Sequence, residues 1–147
     1  MGSSQKIPQW KKYWSSPAIG ATATQTIHPP LDADAYQWMV VIATDSGTSP
    51  TIDVALQISP DGGTTFWSVS RFAQVTTSDT TLYKVHSNGP VTGQAAAVAT
   101  VADTGGVVET NFTPTETMRI KATIGGTSPG FATFEVWMCP VYKHNAL

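Results

Sequence analysis

"YQWMVVIATDSGTSPTIDVALQIS", residues 36 to 59, decides the fold class of this 147-residue chain. In its first part Tyr36, Trp38, Val40 and Ile42 recur at every second position, while Gln37 and Met39 begin the opposite face. In its last part Ile52, Val54, Leu56 and Ile58 alternate with Asp53, Ala55, Gln57 and Ser59. A period of two places alternate side chains on opposite faces of a pleated strand, so each part reads as a strand with one face in a core. The intervening "SGTSP", 46 to 50, is a cluster of turn formers, and the expectation is a hairpin joining the two strands.

The same signal recurs along the chain. "TTFWSVSRFAQVT" (64–76) and "TTLYKVH" (80–86) are rich in aromatic and β-branched residues. "ETMRIKATI" (116–124) sets Met118, Ile120, Ala122 and Ile124 against Arg119, Lys121 and Thr123, and "FATFEVWMCPVY" (131–142) is the last strand, with Pro140 implying an edge or a bulge. "AIGATATQTI" (18–27) and "VVETNF" (107–112) are further candidates. No segment carries a helical period. The expected fold is all-β: a single antiparallel β-sandwich or jelly-roll-like domain of about eight strands over 18–147, preceded by an extended N-terminal arm over 1–17.

"MVVIATDSGTSP" from Met39 and "MRIKATIGGTSP" from Met118 align without a gap at an offset of 79. Either a half-domain is repeated, or two hairpins use the same turn chemistry. Between them "SNGPVTGQAAAVATVADTGG" (87–106) reads as a long loop of small residues, suited to close approach by a neighbouring subunit or to a plain surface excursion.

Composition narrows the partners. Charged residues are 12% of the chain, against about 25% in ordinary domains, and there are 12 glycines and 10 prolines. The formal net charge of −2 offers no general basic surface for nucleic acid or anionic lipid. The single cysteine, Cys139, has no intrachain partner and sits in an apolar segment, as a buried inert thiol would. No apolar run reaches membrane-spanning length, and "MGSSQKIPQWKKYW" lacks the apolar core of a secretory signal, so the chain is expected to be made and kept inside a cell. The "NFT" sequon at 111–113 is followed by Pro114 and carries little weight in that setting.

The most motif-like stretch is "SPDGGTTFW", 59 to 67. Through Ser59, Asp61, Gly63, Thr65 and Phe66 it resembles the Asp-box of sialidases, in which such boxes are structural hairpins away from the chemistry. The expected roles are structural here too: Asp61 accepts from backbone N–H groups of the turn, Gly62 and Gly63 permit positive φ, and Phe66 or Trp67 anchors it beneath. A sialidase also needs an arginine cluster and a Tyr nucleophile, and only Arg71 and Arg119 are present.

Other chemistry finds no foothold. His28, His86 and His144 are scattered without metal-ligand spacing, and Asp32 and Asp34 in "PPLDADAY" lack the later oxygens of a calcium loop, so no cofactor or metal is expected. Asp53 and Glu135 could form a glycosidase-like carboxylate pair, though nothing in the pattern singles them out. No GxSxG elbow or phosphate-binding loop occurs, and the chain is read as non-enzymatic.

The arm is the other unusual segment. "KIPQWKKYWSSP", 6 to 17, interleaves Trp10, Tyr13 and Trp14 with Lys6, Lys11 and Lys12. Rings of this size dominate interface energetics, and Trp10, Lys11, Lys12, Tyr13 and Trp14 form the candidate partner-binding set; packing of the arm on its own domain is the competing arrangement. Stacking on single-stranded nucleic acid is the lesser alternative on an acidic chain.

With "TIDVALQISPDGGTTFW", the low-charge Thr/Ala/Gly composition and the aromatic arm in view, the chain resembles the small β-sandwich accessory proteins that decorate or cement the capsids of tailed-phage virions. That resemblance implies a virion structural protein, made in the host cytoplasm, that binds the major capsid protein or another virion protein as a homo-oligomer, a trimer above all. The opposing reading is a carbohydrate-binding sandwich with Trp67, Trp137 and Tyr83 as stacking platforms.

Overall fold

The structure, a computed structural model, describes residues 9–76, 80–89 and 111–143. Among the described residues it is all-β, with 69% of them in strands and no α-helix. Seven strands follow in order: β1 (Lys11–Ser16), β2 (Ala23–Ile27), β3 (Ala35–Ile58), β4 (Trp67–Arg71), β5 (Thr80–Asn88), β6 (Asn111–Phe112) and β7 (Met118–Val141). They form one hydrogen-bonded sheet in the order β1-β7-β3-β5-β6, with β2 also on β7 and β4 also on β3. Every pairing is antiparallel except β5 with β6, which makes the sheet mixed.

The expected hairpin at 46–50 does not form. Residues 35–58 run on as one 24-residue strand, and so do residues 118–141; each half of β3 pairs with β7 rather than with its own other half. The physical reason lies in the repeated "GTSP". Gly47 (φ 91°) and Ser49 (φ 50°) in β3, and Gly126 (φ 109°) and Ser128 (φ 48°) in β7, take left-handed backbone, and the β3–β7 register shifts between Ser46 and Thr48 and again between Thr48 and Thr51. The turn formers therefore produce bulges within continuing strands instead of a reversal.

The two "GTSP" segments face each other, and the neighbours repeat with them. The first halves of β3 and β7 take β5 and β2, and the second halves take β4 and β1. Past the end of β4, Val75 exchanges both backbone hydrogen bonds with Ile52 at 2.9 and 3.0 Å; past the end of β1, Ile19 does the same with Phe131 at 3.0 and 2.9 Å. Ile52 and Phe131 are themselves 79 positions apart, so the offset found in the sequence is a pseudo-two-fold relation in the fold.

Both halves of each long strand feed one apolar cluster. Tyr36, Trp38, Val40, Ile42, Ile52, Val54 and Leu56 from β3 meet Met118, Ile120, Ala122, Phe134, Val136 and Met138 from β7, with Phe112, Val69 and Phe72 filling between. Those from residues 36–42, 52–56 and 118–122 occupy the period-two positions that the sequence assigns to one strand face. Truncating a ring this enclosed, such as Trp38, removes about 3–5 kcal/mol. Around this core the early strand shortens to Ala23–Ile27, and the 64–76 candidate to Trp67–Arg71. Of the 107–112 candidate only Asn111–Phe112 is strand, its earlier part lying outside the described residues, as does 90–106 of the expected loop. The described strands number seven against an expected eight.

Candidate functional site

The arm enters the fold as a strand that the sequence pattern did not announce. β1 pairs with β7 from Lys11↔Met138 to Ser16↔Phe134, with a bulge between Lys12 and Trp14. The bulge re-aims the rings. Trp14 turns into the fold and meets Phe134 edge to face, with centroids 4.9 Å apart, so this ring is used by the chain itself. Tyr13 is half-buried, and Trp10 stays 40% exposed.

Beside them opens a groove of about 500 Å³ lined by Trp10, Lys11, Tyr13, Met138, Pro140 and Tyr142, with Gln9 at its margin. The Lys11 ammonium lies 4.8 Å from the Tyr13 ring centroid. Burial, and secondarily the neighbouring Tyr142, push the Tyr13 hydroxyl above its usual pKa. Behind it Tyr36 donates to the Pro30 carbonyl at 2.7 Å and is pushed up to about 12, chiefly by burial. These phenols are neutral hydrogen-bonding groups at physiological pH. Among the described residues the groove lining is mainly aromatic and apolar, which suits it to apolar or aromatic side chains.

Lys12 points to the other face of β1. Its ammonium lies 3.3 Å from Glu135 and 5.4 Å from the Trp137 ring centroid. The candidate set thus divides three ways: Trp10, Lys11 and Tyr13 at the groove, Lys12 on the outer sheet face, Trp14 inside.

The "SPDGGTTFW" turn has the geometry of a self-satisfied loop. One Asp61 oxygen accepts from the Thr64 and Thr65 amides at 3.1 and 2.7 Å and from the Ser59 hydroxyl at 3.0 Å, while Ser59 accepts from the Gly63 amide at 2.7 Å. Gly62 and Gly63 have φ of 74° and 109°. The Thr65 hydrogen bonds, ahead of those from Ser59 and Thr64, hold the Asp61 carboxyl down to about 2. Phe66 is buried beneath the Arg119 guanidinium at 4.1 Å, and Arg119 Nε donates to Gln57 at 2.5 Å. The guanidinium is committed to the turn and its sheet.

Asp53 and Glu135 are not brought together. Asp53 accepts from Gln74 at 2.8 Å in the half of β3 that pairs with Thr123, whereas Glu135 pairs across from Val41 in the other half. Among the described residues no three His, Cys, Asp or Glu side chains are placed to hold a metal. His28 meets the Glu116 carbonyl at 3.0 Å on the surface, Asp34 accepts from the Lys143 amide at 2.7 Å, and His144 lies outside the described residues. Cys139 is buried, and burial raises its thiol pKa.

One pair escaped the sequence reading: Ser70 Oγ and His86 Nε2 lie 2.6 Å apart, both fully enclosed. Phe112 covers the imidazole at 4.9 Å, and Nδ1 has no hydrogen-bond partner among the described residues. Burial first, and Lys84 second, lower the His86 pKa to about 3. The imidazole is neutral and, with Ser70, packed inside the core. The sequence reads His86, like His28 and His144, as a surface or turn residue, whereas it is fully buried on β5. No protein-family model, curated protein or solved structure matches the chain.

Proposed function

We propose that this protein is a non-enzymatic virion structural protein, a decoration or cement subunit that binds a capsid lattice as a homo-oligomer, a trimer above all. The observation that carries the reading is the split use of the arm. Trp14 fastens β1 to the sheet, while Trp10 and Tyr13, one bulge away, are left beside a groove walled by Met138, Pro140 and Tyr142. A strand held firmly at the sheet edge presents these rings already ordered, which lowers the entropy cost of docking. Trp and Tyr are the residues on which binding energy concentrates at protein interfaces.

In this reading the bulged strands β3 and β7 fold their halves over the shared core as the two layers of a sandwich, and the groove lies along one edge of it. Lys11 and Lys12 discourage unwanted strand addition at that edge, since like charges would oppose each other across a β1–β1 pairing. Attachment therefore runs through side chains. Several arms displayed on one oligomer would each reach effective concentrations on the order of millimolar, so modest single contacts would sum to tight attachment.

The test is co-sedimentation with capsids assembled from the major capsid protein of the same genome. The full chain is expected to saturate a fixed number of sites, and the Trp10→Ala/Tyr13→Ala variant to need at least tenfold more protein for half-saturation. Equal binding by that variant, or no binding by the full chain, would overturn the reading.

A further inference from the structure

On the outer face of the sheet, away from the groove, Lys12, Trp137, Met39 and Tyr83 lie in a single cross-strand row over β1, β7, β3 and β5. We propose that this row is a binding platform for an extended, neutral β-1,4-linked polysaccharide. The proposal stands independently of capsid attachment, because it uses the opposite side-chain set of β1.

Trp137 and Tyr83 are separated by two interstrand steps, about 9.5 Å. That is close to one two-sugar repeat of an extended β-1,4 chain, in which every second ring presents the same C–H face. Tyr83 is 59% exposed, and Met39 and Trp137 are half-buried. An aromatic ring at each end of the row would match the repeat of apolar faces along such a chain.

Each ring also has a polar side chain fixed beside it. The Tyr83 hydroxyl donates to Gln37 Oε1 at 2.8 Å, which leaves the Gln37 amide N–H groups beside the ring as donors for sugar hydroxyls. The Trp137 indole N–H donates to Glu135 at 3.4 Å, and the other Glu135 oxygen accepts from Lys12 at 3.3 Å. Polar groups placed at the rim of stacking rings fix the orientation of a ligand whose faces are apolar and whose edge is hydroxylated. The charges cancel locally: Lys12 and Glu135 pair with each other, so the strip favours an uncharged chain over a sulfated or uronic one.

The Lys12 ammonium lies over the Trp137 ring, 5.4 Å from its centroid. It is an exposed, flexible side chain, and a sugar ring takes its place by displacing it toward Glu135. Trp67 is also exposed, at 38%, but lies on β4 opposite Ile58, outside the row. It therefore serves as a control ring.

The experiment is retention of the purified full chain on microcrystalline cellulose and on chitin, with amylose as the non-extended α-linked comparison. The full chain is expected to bind cellulose or chitin and to pass amylose. Tyr83→Ala and Trp137→Ala should each weaken retention at least tenfold, and Trp67→Ala should leave it unchanged. Passage through both β-linked matrices, or equal retention of all three variants, would overturn the proposal. Loss of the oligomer in Y83A or W137A, read by light scattering, would overturn it too, because the row would then be an interface between copies. Capsid binding by Y83A and W137A is expected to stay intact, which separates failure of this platform from failure of the attachment groove.

Discussion

Gly47 and Gly126 hold equivalent places on the two long strands and press against each other's segments. A Cβ on Gly47 would lie 2.3 Å from the Ser128 carbonyl oxygen, and one on Gly126 would lie 2.7 Å from that of Ser49. Both residues have positive φ, 91° and 109°. The chain can bulge twice at one crossing because neither position carries a side chain.

Alanine at either position should therefore meet both backbone strain and a clash with backbone that cannot rotate away. Gly47→Ala and Gly126→Ala are each expected to cost about 2–4 kcal/mol. Gly62→Ala, with φ 74° but nothing within 4 Å, should cost about 1–2 kcal/mol from backbone strain alone. Urea unfolding of the three variants measures the order.

That crossing also marks where the sequence stopped being legible. The period-two spacing of Tyr36, Trp38, Val40, Ile42 and of Ile52, Val54, Leu56 located the core-facing side chains, because parity survives whatever joins the two runs. "SGTSP" carried the residues of a turn, and nothing local distinguishes a reversal from a bulge. The difference is made by the second "GTSP" opposite, a partner 79 positions away. β1 was illegible for a similar reason: the bulge between Lys12 and Trp14 breaks its alternation, so an edge strand read as an aromatic arm.

Trp14 and Trp10 should separate stability from attachment. Trp14→Ala removes a ring packed on Phe134 and is expected to cost about 2–3 kcal/mol of unfolding free energy. Trp10→Ala should leave the urea midpoint within experimental error. Thermal and urea unfolding of the two variants, set beside their capsid binding, checks the division.

His86 should make the fold acid-sensitive. Its pKa is about 3 in the fold and near 6.5 when unfolded, so between those values the unfolded chain binds the extra proton. Stability is then complete above pH 6.5 and falls as the pH drops toward 3, by at most about 1.4 kcal/mol per pH unit. Asp61 adds to the loss only below the ordinary carboxylate range, because its lowered pKa stabilises the fold until pH falls from 3.8 toward 2. A Ser70→Ala/His86→Leu variant should lose the slope between pH 6.5 and 4 in urea midpoints; an unchanged slope would assign it to other groups.

Asp61→Ala should unravel the "SPDGGTTFW" turn without touching attachment. It removes the acceptor for the Thr64 and Thr65 amides and the Ser59 hydroxyl, and a lower urea midpoint is expected. Amide hydrogen exchange should quicken at Thr64 and Thr65, while half-saturation on capsids stays as in the full-length parent.

Attachment through several displayed arms requires that the protein be a homo-oligomer. Light scattering on the purified full-length protein, across a hundredfold range of concentration, tests this most directly. A stable particle of about three times the 15.6 kDa chain mass is predicted. A mass that stays at one chain throughout would contradict it.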